Sequence, residues 1–135
     1  MSGKICLKID NFEERKNKNE IVESEYFYDK YEPYKLSLRI ETNPRFDGDY
    51  LHIYLLVWHD DRNEGLTWPF KRNVDINLIN QDKSIPRAQK TSMEKPANNS
   101  CRYSDAFSFH YSELNDQQLL TNDCITVRCY LRTYI

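Results

Sequence analysis

Glycine is scarce, with three in 135 residues, and Gly48 and Gly65 each stand alone. A phosphate-cradling loop needs clustered glycines, so none is present. No apolar run approaches the ~20 residues of a membrane-spanning helix, so membrane insertion is not expected. The four cysteines, Cys6, Cys101, Cys124 and Cys129, form no C-x-x-C pair and have no histidine in register, which argues against a zinc site. The opening residues 1–6 lack an apolar core of signal-peptide length. The expectation is therefore a cytoplasmic setting with reduced thiols. Neither charge dominates: 19 basic and 21 acidic residues give a formal net charge of −2. That balance lends no support to a nucleic-acid or anionic-membrane partner.

Aromatic residues are plentiful: ten Tyr, six Phe and two Trp. Such content argues against disorder. The length suits one compact domain, residues 1–135, able to bury a core without disulfide or metal staples. The dominant period is two. Residues 34–41 place Leu36, Leu38 and Ile40 on one face. Residues 51–57 place Leu51, Ile53, Leu55 and Val57 on one face, and His52, Tyr54 and Leu56 on the other. Residues 74–78, 107–111 and 125–132 alternate in the same way, and shorter strands are expected at 6–9 and 25–28. One buried face and one solvated face is the pattern of antiparallel sheets packed on each other. Turns are expected at Asn43-Pro44 with Asp47-Gly48, at Asn63-Glu64-Gly65, and after Pro96. One short helix is expected over 112–120, capped by Ser112, with Leu114 and Leu119 inward. The stretch 80–104 is long and weakly periodic, and an irregular strand is expected at 84–91. The fold class is all-β, an antiparallel sandwich.

The densest polar cluster, His59-Asp60-Asp61 with Asn63 and Glu64, matches no calcium-loop spacing and reads as a solvated hairpin turn. His52 and His110 fall on outward strand faces. No Ser or Cys carries the local signature of an activated nucleophile, and no carboxylate pair is marked for acid–base work. The expectation is a domain that is not an enzyme and carries no cofactor or metal. More informative is the non-core face of two strands. Ser37, Arg39 and Glu41 share it on the first; Tyr50, His52, Tyr54, Leu56 and Trp58 share it on the second. A sheet face with Arg, Tyr and small hydroxyls suits an extended peptide, held by backbone hydrogen bonds and selected by alternate side chains.

Three segments, in order and spacing, carry a resemblance: Tyr-Lys-Leu-Ser-Leu-Arg-Ile at 34–40, Gly-Asp-Tyr-Leu-His-Ile-Tyr-Leu at 48–55, and Leu-Thr-Trp-Pro-Phe at 66–70. Leu-Lys-Ile-Asp-Asn-Phe at 7–12, Ser-Met-Glu-Lys-Pro at 92–96 and residues 123–129 add to it. Together they resemble the C-terminal domain of TNF receptor-associated factors (TRAF-C), a branch of the meprin-and-TRAF-homology (MATH) family. The resemblance implies an eight-stranded antiparallel β-sandwich. It implies a cytoplasmic signalling adaptor in ubiquitin-ligase pathways that binds short extended motifs of receptor tails or upstream adaptors, and a homotrimer in a full-length context.

It also implies site residues. Arg39 stands at the family's peptide-contacting arginine, expected to meet a carboxylate or carbonyl of the peptide. Glu41 stands where many members have Tyr, and Tyr54 at an aromatic pocket position. Thr91 and Ser92 fall on the family's serine run. Ser104 and Asp105 lie near the edge strand where peptide backbone pairs. Glu41 disfavours an acidic peptide residue, with Arg45 and Lys90 as candidate compensating charges. The segment between Asn80 and Ser92 is shorter than in most members. The rival readings are a MATH domain recruiting substrates to a ubiquitin ligase or deubiquitinase, a sandwich that only self-associates, and a glycan-binding module.

Overall fold

The computed structural model describes residues 4–44 and 48–134. Arg45 and Asp47 lie outside the described residues. In chain order the elements are β1 (Lys4–Asp10), α1 (Phe12–Asn17), β2 (Ile21–Glu23), β3 (Phe27–Tyr28), β4 (Lys35–Glu41), β5 (Tyr50–His59), β6 (Phe70–Asn80), β7 (Lys83–Met93), β8 (Ser100–Tyr103), β9 (Phe107–His110), α2 (Tyr111–Asp116) and β10 (Cys124–Thr133). One sheet has four strands in the order β1-β10-β6-β7. The other has six: β2-β4-β5-β8 in order, with β3 also on β4 and β9 also on β5. Every pairing is antiparallel.

Period-two alternation builds the core between the sheets. Leu36, Leu38, Ile40, Leu51, Ile53 and Leu55 from one sheet, and Val74, Ile76, Leu78, Val127 and Leu131 from the other, are fully buried. Among the described residues, ten short or long strands stand where eight were expected. The difference is two interrupted edges: β2 and β3 both pair with β4, and β8 and β9 both pair with β5. Counted as ladder positions, the sandwich has the eight the resemblance implies.

Three expectations are corrected. The segment at 84–91 is not irregular: β7 runs regularly from Lys83 to Met93 and pairs with β6 along its whole length. Its period was hidden because Arg87 and Gln89 occupy inward-parity positions. Arg87 reaches Glu113 and lies 4.7 Å over the Phe109 ring. Pro86 is tolerated because β7 is an edge strand. Among the described residues there are also two short α-helices rather than one. In α1, Phe12 is buried and Asn11, at φ 53°, starts the helix without a side-chain cap, so no sequence signal marks it. α2 is shorter than expected. Its cap is His110, whose ring nitrogen accepts from the Ser112 N–H at 3.1 Å, rather than Ser112 itself. Among the described residues, no helix is long and apolar enough to cross a membrane.

The turn before β4 is fixed to the other sheet. Tyr34 is buried, donates its hydroxyl to the Thr67 carbonyl, and meets the Trp68 and Phe70 rings edge-on at 5.2 and 5.0 Å. Burial, with Glu32 nearby, pushes its phenol pKa up to about 12. The folded state thus favours the neutral phenol. That stability is complete below the ordinary pKa near 10 and is lost as pH rises through about 12. Tyr34→Phe should therefore flatten the fall in urea midpoint between pH 10 and 12, read against wild type. Parallel curves for the two proteins would refute this.

Candidate functional site

Strand parity sends Lys35, Ser37, Arg39 and Glu41 of β4 away from the core, and antiparallel register sets Arg39 opposite Tyr54 and Glu41 opposite His52. On the other side of β4, Glu23 of β2 stands opposite Arg39. On the far side of β5, Tyr103 of β8 stands opposite Leu56. Four strands thus deliver their side chains to one patch of the outer face of the six-stranded sheet.

Arg39 is its centre. Its Nε points to Glu41 Oε2 at 3.3 Å, and its Nη1 lies 3.4 Å from both Glu23 Oε1 and the Tyr103 hydroxyl. The guanidinium carbon is 5.8 Å from the Tyr103 ring centroid. Burial pulls the Arg39 pKa down, but Tyr103, Glu41 and Glu23 more than offset it, leaving it raised. Tyr54 meets Tyr103 edge-on at 5.8 Å. Burial first, then the Glu41 carboxylate, raises the Tyr54 phenol pKa. Ring contacts continue from Tyr54 to His52 (6.2 Å), Tyr50 (6.1 Å) and His110 (4.9 Å), a row of aromatics along the strand.

The upper part of this face is closed. Leu56, on the non-core face by parity, is 2% exposed. Trp58 donates its indole N–H to Ser37 Oγ at 2.9 Å and packs edge-on against Tyr26 at 5.6 Å. Lys35 lies 4.1 Å over the same Tyr26 ring and 3.5 Å from Asp60.

The structure brings Arg39, Glu41 and Tyr54 together, and sets Ser104 and Asp105 at the neighbouring corner between β8 and β9. Ser104 is buried, and its hydroxyl accepts from the Leu55 N–H and donates to the Asp105 carbonyl, both at 2.9 Å. Asp105 is exposed. Thr91 and Ser92 lie on β7, in the other sheet. Thr91 is buried and donates to Gln89 Oε1 at 3.2 Å; Ser92 is exposed, opposite Lys71. What joins the two sheets here is Gln89, whose amide donates to the Asp105 carbonyl at 3.2 Å. Lys90 is also on β7, 5.3 Å from the Tyr134 ring, and not beside Glu41.

Two members of the patch were not read from the sequence. Tyr103 ends a four-residue strand too short to show a period. Glu23 belongs to a three-residue strand with no period of its own. The polar run at 59–64 is likewise not all solvent-facing. His59 is 6% exposed and sits by the Trp68 ring, with Glu64 3.8 Å from its Nε2. Among the described residues, no group of three or more His, Cys, Asp or Glu is placed to hold a metal ion.

Comparison with known proteins matches this architecture. The MATH domain family model fits residues 4–131. TNF receptor-associated factor 6 of Xenopus tropicalis is 21% identical over 154 residues, covering 99% of this chain. The chain spans 28% of the length of that relative. The solved structure of TRAF5 from Notothenia coriiceps superposes with a TM-score of 0.79 at 18% identity, covering 98% of this chain and 74% of that one.

Proposed function

The chain belongs to the MATH domain family, and from that premise we propose that it binds a short extended peptide on the outer face of the six-stranded sheet. The observation that carries this is the convergence of Arg39, Tyr54 and Tyr103 from the three adjacent strands β4, β5 and β8. β8 ends the strand order of its sheet, and among the described residues it pairs only with β5. A free strand edge supplies backbone donors and acceptors, and alternate peptide side chains reach the neighbouring rings.

The role is that of an interaction domain rather than a catalyst. Burial raises the thiol pKa of both Cys101 and Cys129, which is the opposite of nucleophile activation. The peptides in this proposal are tails of receptors or upstream adaptors, in a cytoplasmic signalling setting; the relative named for its association with the TNF receptor supports the receptor part. In a longer, trimeric chain, three weak grooves would act together by linkage.

Selection of a random linear-peptide phage library on the purified domain tests this. The expected result is a recurrent linear motif, with a synthetic peptide binding one-to-one by calorimetry at roughly micromolar affinity or weaker. Failure to enrich any linear sequence, over repeated selections with folded protein, would contradict it.

A further inference from the structure

The charge of the peptide face follows from how Arg39 is held. A guanidinium is a fork of donors suited to carboxylates. Here that fork is already turned on the protein's own carboxylates, Glu41 at 3.3 Å and Glu23 at 3.4 Å, with the Tyr103 hydroxyl at 3.4 Å. One cation between two anions leaves the cluster with an excess of negative charge. Among the described residues, neither the lysine of β4 nor the arginine of β8 corrects this. Lys35 is drawn to Asp60 and the Tyr26 ring, and Arg102, opposite Val57, has the parity of the other face. Asp105, exposed just past β8, adds a further carboxylate at the same edge.

We propose that this face selects a peptide bearing a lysine or arginine side chain and rejects one bearing a carboxylate; the proposal rests on the peptide-binding reading above. An incoming carboxylate, whether it displaces one of the two glutamates or takes another Arg39 donor, lies against Glu23 and Glu41, and like charges at an interface exclude a partner. An incoming ammonium or guanidinium meets the opposite situation. The Glu23 side chain is 58% exposed and within reach, whereas Glu41 is 24% exposed and less screened by solvent. Tyr54 and Tyr103 offer ring faces between them. The Tyr103 ring already has one guanidinium at 5.8 Å, so its environment accepts a cation. Arg39 is in this view a positioning residue, holding the two carboxylates that choose the ligand.

The test uses pooled nine-residue peptides, capped at both ends, with one fixed central residue (Lys, Arg, Gln, Asp or Glu) and uncharged residues elsewhere. Binding to the wild-type domain is read by fluorescence polarisation at low and high salt. The Lys and Arg pools should bind about tenfold more tightly than the Asp and Glu pools at low salt, with the ratio shrinking as salt rises. In the double variant Glu23→Gln/Glu41→Gln, checked for an unchanged melting curve, Arg39 is released and the preference should turn to the Glu pool. Equal or tighter binding of the Glu pool by wild type would overturn the charge assignment and leave the groove standing. So would a Lys preference that survives in the double variant. If no pool binds, the groove itself is refuted, and the charge assignment with it.

Discussion

Asp29→Ala is expected to remove about 3–5 kcal/mol of folding stability, a large share of what a domain this size possesses. The Asp29 side chain is 0% exposed, and Arg72 is 12% exposed. Asp29 Oδ2 accepts from Arg72 Nε at 3.0 Å and Nη2 at 2.7 Å, and from the Glu32 N–H at 3.3 Å. The pair ties the turn between β3 and β4 to β6, so it clamps one sheet to the other at the base of the strand that carries Arg39. Removing the carboxylate strands a mostly buried guanidinium among the Tyr31, Tyr34 and Phe70 rings, 5.3–5.7 Å away. The cost is that of an uncompensated charge and not the worth of the pair. Arg72→Met in the Asp29→Ala background should therefore recover most of it, because the stranded charge is gone and the thioether chain packs on the same rings. Urea unfolding with an unchanged m-value is the measurement. A loss below about 1 kcal/mol in the single variant would mean that solvent reaches Arg72.

The second large effect concerns binding. Tyr103→Ala should weaken a selected peptide by at least about tenfold, as truncation of an aromatic anchor does at an interface centre. Tyr103 is 48% exposed, so folding stability should change by little. It closes one side of the patch, giving a hydroxyl to Arg39 and a ring edge to Tyr54. Tyr54→Ala should lose as much affinity, with a greater stability cost because Tyr54 is half-buried. Tyr130 is the control: it is 39% exposed, but it stands on β10 of the opposite sheet. Tyr130→Ala should bind like wild type. Equal losses in Tyr103→Ala and Tyr130→Ala would show a non-specific aromatic surface instead of a site.

Alternation made β4, β5, β6 and β10 legible, because each has one face in the core and nearly every inward position apolar. The same rule missed the regularity of β7, where Arg87 and Gln89 take inward positions and satisfy themselves on Glu113 and the Asp105 carbonyl. Parity alone placed Arg39 and Tyr54 on one face. It said nothing of how far each outward side chain is covered: Leu56 shares that parity and is buried. Nor does parity within a strand say which strands are neighbours. Thr91 and Ser92, expected among the peptide contacts, are on β7, an edge strand of the other sheet that meets the Asp105 corner through Gln89. Glu23 and Tyr103 became visible only through register with β4 and β5. Chain-wide charge balance concealed the local excess, since it averages over a face where two carboxylates bracket one guanidinium.

The most direct test is a backbone-amide NMR titration of the folded domain with a peptide recovered by selection. If the outer face of the six-stranded sheet is the binding surface, shifts concentrate in β4, β5 and β8, around Arg39, Tyr54 and Tyr103, and β1 and β10 stay still. Shifts centred on β1, β10 or the outward positions of β6, with Arg39 and Tyr103 unmoved, would place the peptide on the other sheet and contradict the proposal at its root.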